Sequence, residues 1–201
     1  YGDPSAPVGF AESCRVPPAR RQPREHHGKA TCVHVELSDD QEFFRETTHK
    51  FLAAESPLTS VRALEAHADG FEASYWRRGA ELGWTSMLVP ERDGGGSLSG
   101  AGLCDLALVA EEMGRLVAPG PLVPVSVVAD AIARLGSEAQ RGDVLGGIVS
   151  GETIGAWAFN EPGMRCDTDR IALTAELVDD GFVLVGDKSP IEAGAQADVL
   201  V

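Results

Sequence analysis

The sequence predicts an α+β fold that is mainly α-helical, in which a helical bundle is followed by a group of strands. Two observations predict it. Residues 38–149 combine helix-capping residues with apolar residues spaced three to four apart, which is the period of an amphipathic helix. After Gly151 the pattern changes to short β-branched and aromatic runs separated by turn residues. Because helices and strands are segregated along the chain, the order favours α+β over an alternating α/β fold.

The first 36 residues precede these signals. They are rich in Pro, Arg and Ala and show no helical or strand period, so we predict a disordered or non-native head over residues 1–36. The head contains scattered metal-binding residue types, namely His26, His27, Cys32 and His34. Their spacing matches no standard zinc pattern, and we therefore predict no metal site.

The first predicted helix begins at Ser38, because Ser38 and Gln41 have the spacing of a capping box. Two more helices are predicted over residues 60–67 and 72–82, the second of which ends at Gly83. The inner face of the first helix is predicted to comprise Phe44, Thr48, Phe51 and Leu52.

A long fourth helix is predicted next. Cys104 lies within it and is predicted to be an inert core cysteine. The turn at residues 118–121 (APGP) ends this helix, and two more helices are predicted over residues 124–135 and 137–149. The inner face of the long helix is predicted to comprise Leu103, Leu106, Ala107, Ala110, Met113 and Val117.

Four strands are predicted after the helices, over residues 153–159, 171–178, 182–185 and 197–201. The two central strands flank the turn Asp179-Asp180-Gly181, which is typical of a β-hairpin.

Charge and cysteine content restrict the class of protein. The net charge of −14 excludes nucleic acid as a partner, since phosphate binding needs a basic face. No apolar run approaches the length of a membrane span, so no membrane partner is expected. Four cysteines without regular spacing favour a reduced, cytoplasmic compartment over a disulfide framework. The chain begins with Tyr and ends in an apolar run, and we expect a fragment of a longer protein.

Several segments occur in an order that resembles the acyl-CoA dehydrogenases. Residues 81–99 (ELGWTSMLVPERDGGGSLS) are similar to a loop between helices of that family, and residues 111–115 (EEMGR) are similar to one of its helix ends. Residues 158–167 (AFNEPGMRCD) and 183–201 (VLVGDKSPIEAGAQADVLV) are similar to a turn and a strand pair of its middle domain. The resemblance covers residues 37–201.

The resemblance implies an architecture and a reaction. Residues 37–151 would form the N-terminal α-helical domain, and residues 152–201 would begin a truncated, β-barrel-like middle domain. The reaction would be α,β-dehydrogenation of an acyl-CoA thioester to the 2-enoyl-CoA, with FAD as hydride acceptor. The family's catalytic glutamate belongs to a C-terminal helical domain, so no catalytic residue is assigned here. Residues 119–124 (PGPLVP) are similar to members that act on steroid or other bulky acyl-CoA substrates, which suggests fatty acid or steroid catabolism.

The resemblance also implies site residues. Cys166 stands where the family has a Ser that touches the thioester ligand. The residues expected to contact the flavin are Trp157, Ala158, Phe159, Asn160 and Ile191.

Among the departures from the family pattern, four bear most directly on FAD binding. Arg165 and Cys166 replace small or hydroxyl residues, Pro190 removes a backbone donor, and Glu192 places a carboxylate near the expected flavin. Together these changes favour weakened or lost FAD binding, as in the cofactor-poor partner of a heteromeric enzyme.

Two alternatives stay open at this point. The first is a competent homotetrameric dehydrogenase or a relative of the flavin monooxygenases, and the second is a non-catalytic helical interaction module. The partners that the resemblance implies are an acyl-CoA substrate, the other subunits of a homo- or heterotetramer, and electron-transfer flavoprotein.

Overall fold

The computed structural model describes residues 36–66, 70–163, 168–179 and 181–201. Residues 1–35, with the scattered His and Cys residues of the head, lie outside this part of the chain. Cys166, Arg165 and the end of the predicted second helix also lie outside it.

The described residues form a mainly helical α+β structure, which confirms the predicted fold class. The helices come first and the strands follow, so the chain does not continue as helix alone after residue 151. The helices are α1 (Asp39–Glu55), α2 (Leu58–Ala63), α3 (Ala73–Glu81), α4 (Gly102–Leu116), α5 (Leu122–Leu135) and α6 (Glu138–Ser150). The strands are β1 (Gly155–Ala156), β2 (Thr174–Val178), β3 (Gly181–Val185) and β4 (Val199–Leu200).

Helix α1 begins as its sequence predicts. The amide of Gln41 donates to Ser38 Oγ at 3.2 Å, and the amide of Ser38 donates to Gln41 Oε1 at 3.1 Å. This reciprocal pair satisfies two amides that would otherwise lack partners at the helix start. Helix α2 is shorter than predicted and passes into a single 3₁₀ turn (Leu64–Ala66), consistent with its lack of a side-chain cap and of any buried residue.

Of the predicted inner face of α4, Met113 is buried and Leu106 is partly buried against the core, but the prediction is wrong at the other four positions. Leu103 and Val117 are 71% and 61% exposed, and Val117 is a left-handed residue beyond the helix end. Cys104 is exposed, which corrects its prediction as a core residue. The residues of α4 that are buried are Asp105, Leu108, Val109, Glu112 and Met113.

Two buried carboxylates explain why the buried face of α4 differs from the predicted one. Asp105 accepts hydrogen bonds from Gln41 Nε2 at 2.8 Å and from the amide and hydroxyl of Ser99 at 2.9 and 2.8 Å. Glu112 Oε2 lies 2.8 Å from His49 Nδ1. Both acids therefore face α1, and a pattern built only from apolar residues cannot indicate that face.

An aromatic cluster lies at the centre of the helical core. Trp84 is fully buried, and its ring lies 5.4 Å from that of Phe51, 6.1 Å from that of Tyr75 and 6.4 Å from that of Trp76. Phe71 packs edge-on against Trp76. These rings join α1, α3 and the loop after α3 into one packed unit.

Strand β1 connects this core to the strands. It pairs in parallel with β4, with Gly155 opposite Val199 and Ala156 opposite Leu200. Helix α5 packs directly on β1, since a Cβ at Gly155 would lie 2.7 Å from Val128 Cγ1. This contact fixes where the chain leaves the helical core and enters the segment that carries most of the predicted site residues.

Strands β2 and β3 form the predicted antiparallel hairpin, with Leu177 opposite Phe182. Every residue of β2 is exposed, as are Phe182 to Val185 of β3. In the described part of the chain, none of the helices combines the length and apolar character needed to span a membrane.

Candidate functional site

Residues 157 and 158 continue the pairing of β1 with β4, and Phe159 and Asn160 follow them. The amide of Ala158 donates to the carbonyl of Val201 at 2.8 Å, and the amide of Val201 donates to the carbonyl of Ala156 at 3.0 Å. These bonds continue the β1–β4 pairing by two residues, although the predicted strand over residues 153–159 is regular only at Gly155–Ala156. The extended backbone places alternate side chains on opposite sides.

Trp157 and Phe159 therefore lie on the same side of this segment. Their rings stack with a centroid distance of 6.2 Å and an interplanar angle of 27°. Trp157 is 39% exposed, whereas Trp76 and Trp84 of the helical core are buried. The pair thus presents partly open aromatic surface at the junction of the helices and the strands.

The second predicted flavin-contacting segment, residues 189–192, lies against the first. The amide of Ser189 donates to the carbonyl of Asn160 at 2.8 Å. The side-chain amide of Asn160 donates to the carbonyl of Pro190 at 3.4 Å. Ile191 follows directly and is partly buried. The structure therefore brings together residues 157–160 and residues 189–191, which are about thirty positions apart in the sequence.

Glu161 follows Asn160 directly and connects this contact to residues that precede β2. Its carboxylate accepts hydrogen bonds from the amide of Ala172 at 2.7 Å and from the amide of Leu173 at 3.0 Å. Lys188 Nζ lies 2.9 Å from Glu161 Oε1. The amide of Ala172, the Lys188 ammonium and the amide of Leu173, in this order, lower the pKa of Glu161 to about 2. The carboxylate is therefore ionised across the physiological pH range.

Lys188 connects the two segments a second time, because its Nζ also donates to the carbonyl of Phe159 at 3.2 Å. Sequence reasoning assigned no role to Lys188 or Glu161. The sequence does not single out this pair, because each of the two motifs also contains other charged residues, such as Arg165 in the first and Asp187 in the second.

The described residues fit one wall of a site for a flat ring system. Such a ring needs apolar surface over its face and polar groups at its edge. Trp157 and Phe159 supply aromatic surface, and Asn160 supplies a side-chain amide next to them. Glu192, whose side chain is exposed, adds negative charge after Ile191. Among the described residues, no group of three or more His, Cys, Asp or Glu could hold a metal ion.

Comparison with known proteins identifies the class. Residues 38–152 match the family model described as acyl-CoA dehydrogenase, N-terminal domain. The chain therefore belongs to the acyl-CoA dehydrogenase family.

Two curated relatives and two solved structures illustrate the match. The chain is 32% identical to mitochondrial isovaleryl-CoA dehydrogenase of Bos taurus over 82% of its length and 39% of the relative's. It is 33% identical to the short-chain specific acyl-CoA dehydrogenase of the same species, over 83% and 40%. A variant of the Tcur3481–Tcur3483 steroid ACAD superimposes with a TM-score of 0.70 at 32% identity, over 80% of this chain and 43% of that one.

The second structure, an acyl-CoA dehydrogenase complexed with FAD from Bacillus anthracis, gives a TM-score of 0.67 at 29% identity, over 83% of this chain and 28% of that one. This chain thus spans about two fifths of the length of the curated relatives named above.

Proposed function

We propose that this chain is the N-terminal part of an FAD-dependent acyl-CoA dehydrogenase subunit, which converts an acyl-CoA thioester to the 2-enoyl-CoA. When bound, FAD would accept the hydride from the β-carbon while a base removes the α-proton. We assign no catalytic base among residues 1–201 and expect a C-terminal helical domain to supply it. In this proposal residues 37–151 form the helical domain and residues 152–201 begin the middle domain.

The observation that supports this proposal is the contact between residues 157–160 and residues 189–191. Trp157 and Phe159 would cover part of the flavin face, and Asn160 and Ile191 would lie at its edge. Stacking against an aromatic pair holds a flat ring by dispersion and by excluding water. Cys166 is proposed as a substrate-side residue on sequence grounds alone.

We further propose that the subunit binds FAD weakly when it is alone and acquires a complete site in a homo- or heterotetramer. Two features support this. The side-chain amide of Asn160 donates one of its two N–H groups to Pro190, which leaves one for a flavin edge, and the exposed carboxylate of Glu192 adds negative charge beside an electron-rich cofactor. We favour a heteromeric assembly, because the similar steroid ACAD carries the paired designation Tcur3481–Tcur3483, which indicates two different subunits. The substrate would then be a steroid or other bulky acyl-CoA.

Expression of the full-length protein, alone and together with candidate partner subunits, tests this assignment. We expect little FAD per chain in the protein expressed alone and stoichiometric FAD in the assembled enzyme, measured from the visible spectrum and from released cofactor. Stoichiometric FAD in the protein alone would contradict weak binding, and its absence from every assembly would contradict the FAD assignment.

The Trp157→Ala substitution tests the proposed flavin wall. Because it removes aromatic surface from the flavin face, we expect the dissociation constant for FAD in the assembled enzyme to rise by about tenfold, equivalent to about 1.4 kcal/mol. Phe43→Ala is the matched control, since Phe43 is an exposed aromatic residue on α1. Equal effects of the two substitutions would remove Trp157 from the site.

The electron acceptor and the location of the protein are also proposals. Electron-transfer flavoprotein would reoxidise the enzyme, which a reduction assay with the purified acceptor would test. A cytoplasmic location is proposed from the cysteine content, and cell fractionation would test it.

A further inference from the structure

An ion pair between Glu161 and Lys188 connects the two proposed flavin-contacting segments. The side chains of Glu161 and Lys188 are only 8% and 16% exposed. Glu161 binds the amides of Ala172 and Leu173, and Lys188 binds the carbonyl of Phe159. We refer to Glu161 and Lys188, with these three backbone groups, as the Glu161–Lys188 latch.

The latch closes two loops of chain at once. Glu161 connects the turn after residue 160 to the residues that precede β2, and Lys188 connects the segment after β3 back to residue 159. A charged group taken out of water needs a partner and hydrogen bonds, because its desolvation is otherwise costly. Here each charge has the other as partner, and both also bind backbone groups. Moving either segment alone would leave one charge without these contacts.

Close packing before Lys188 supports the same arrangement. A Cβ at Gly186 would lie 2.9 Å from the Cα of Leu173, and Gly186 has a φ of 151°. A residue with a side chain is strained in this conformation and would push the chain away from Leu173. Glycine at this position therefore lets the chain bring Lys188 within reach of Glu161.

We propose that Glu161 and Lys188 are positioning residues that hold the Trp157–Asn160 segment in the orientation needed for its flavin-facing role. Lys188 fixes the carbonyl of Phe159, and thereby the peptide plane between Phe159 and Asn160. The direction of the aromatic pair and of the Asn160 amide follows from that plane. This inference rests on the proposed function, but the ordering of the segment can be measured without FAD.

The first arm of the test uses flavin-free, full-length protein labelled with fluorotryptophan, with the Trp157 signal assigned by Trp157→Phe. Lys188→Met retains most of the side-chain length but removes its charge and donors. We expect it to shift or broaden the Trp157 fluorine signal and leave those of Trp76 and Trp84 unchanged. Hydrogen exchange at the amides of Ala172 and Leu173 should become at least about tenfold faster, since their acceptor is released.

Three variants accompany Lys188→Met in this arm. Lys188→Arg keeps a cationic donor and should largely restore the wild-type signal and exchange rates. Lys50→Met is the matched control, because Lys50 belongs to an exposed ion pair with Glu46 on α1. Glu161→Gln tests the acidic partner of the latch and should also speed hydrogen exchange at the amides of Ala172 and Leu173. It also replaces Lys188→Met if that variant does not fold.

The second arm measures FAD affinity in the assembled enzyme by flavin fluorescence. We expect Lys188→Met to weaken FAD binding by about tenfold or more, equivalent to about 1.4 kcal/mol, and Lys188→Arg and Lys50→Met to stay near the wild-type value. A lower unfolding midpoint with unchanged affinity would show a structural role only and would overturn the proposal.

The two arms separate failure of the latch from failure of the proposed function. Unchanged Trp157 signal and exchange rates in both Lys188→Met and Glu161→Gln overturn the latch, whatever the FAD affinity. The variants can also loosen the segment in a protein whose wild-type assembly binds no FAD. That result would support the latch as the device that orders the segment, and it would overturn the FAD assignment instead.

Discussion

The helical and strand regions both contain large apolar residues, but many of these are buried in the helical region, whereas those of the hairpin are exposed. In the helices, Leu52 and Trp84 are fully buried and Trp76 is 1% exposed. In the hairpin, Leu177 and Phe182 are 76% and 66% exposed although they face each other across the strands. The helical region therefore derives its order from a packed core, whereas the strand region depends on main-chain pairing and on polar contacts such as the Glu161–Lys188 latch.

This contrast predicts which apolar residues matter for stability. Trp84→Ala removes a ring that contacts three other aromatic rings, so we expect a loss of about 3–5 kcal/mol in the free energy of unfolding. Phe182→Ala in the hairpin should cost about 0.5 kcal/mol or less. Urea unfolding of the 201-residue chain, followed by circular dichroism, measures both. Comparable losses would mean that Phe182 is covered in solution, which would break the comparison.

Two glycines sharpen the comparison within the helical region. A Cβ at Gly79 would lie 2.3 Å from Trp84 Cε3, so Gly79→Ala should destabilise the protein by about 1–3 kcal/mol. Gly142 in α6 faces open space, so Gly142→Ala should stabilise it by up to about 1 kcal/mol through helix propensity alone. Opposite signs in thermal or urea unfolding would confirm that close packing at Trp84 outweighs propensity. A stabilising Gly79→Ala would contradict it.

Acid should affect the strand region through Glu161, with the smallest expected change in overall stability. Its pKa falls from the ordinary 4.5 to about 2 in the folded protein. A carboxylate with a lowered pKa stabilises the fold fully above its unfolded pKa, and this contribution is lost as the pH falls through the folded value. We therefore expect the Trp157 fluorine signal to change between about pH 4.5 and pH 2, and this change to disappear in Glu161→Gln. Titration of both proteins checks it, and an identical pH response would rule Glu161 out as the cause.

Asp105 provides the counterpart to Glu161 in the helical region. Burial disfavours its charged form, yet hydrogen bonds from Gln41 and Ser99 outweigh that effect and lower its pKa. In each region, hydrogen-bond donors thus lower the pKa of a buried acid, Asp105 in the helical region and Glu161 in the strand region. In the helical region these donors accompany a packed core, and in the strand region they are the main contacts around the site.

Much of the helical region was predictable because its signals are local. The capping box at Ser38 acts over three residues, and Gly83 lies only two positions beyond the last residue of α3. The buried face of α4 was not predictable in this way. Asp105 and Glu112 face inward because Gln41 and His49, more than sixty positions away, supply their partners. An apolar period carries no information about such pairs.

The candidate site shows the same division. The motifs around residues 158–167 and 183–201 indicated the family and the residues expected to contact the flavin. The contacts of Asn160 with Ser189 and Pro190, and the contact of Lys188 with Glu161, are visible only in the folded chain.

The sequence by itself determined the order of helices and strands, the start of α1 at its capping box and the family resemblance, since these depend on residue types a few positions apart. The tertiary structure alone decided which face of α4 is buried, that Cys104 is exposed, and that Lys188 binds both Glu161 and the carbonyl of Phe159. The physical reason is that buried charges take their partners from wherever the fold brings donors within about 3 Å, and that distance is unrelated to separation along the chain.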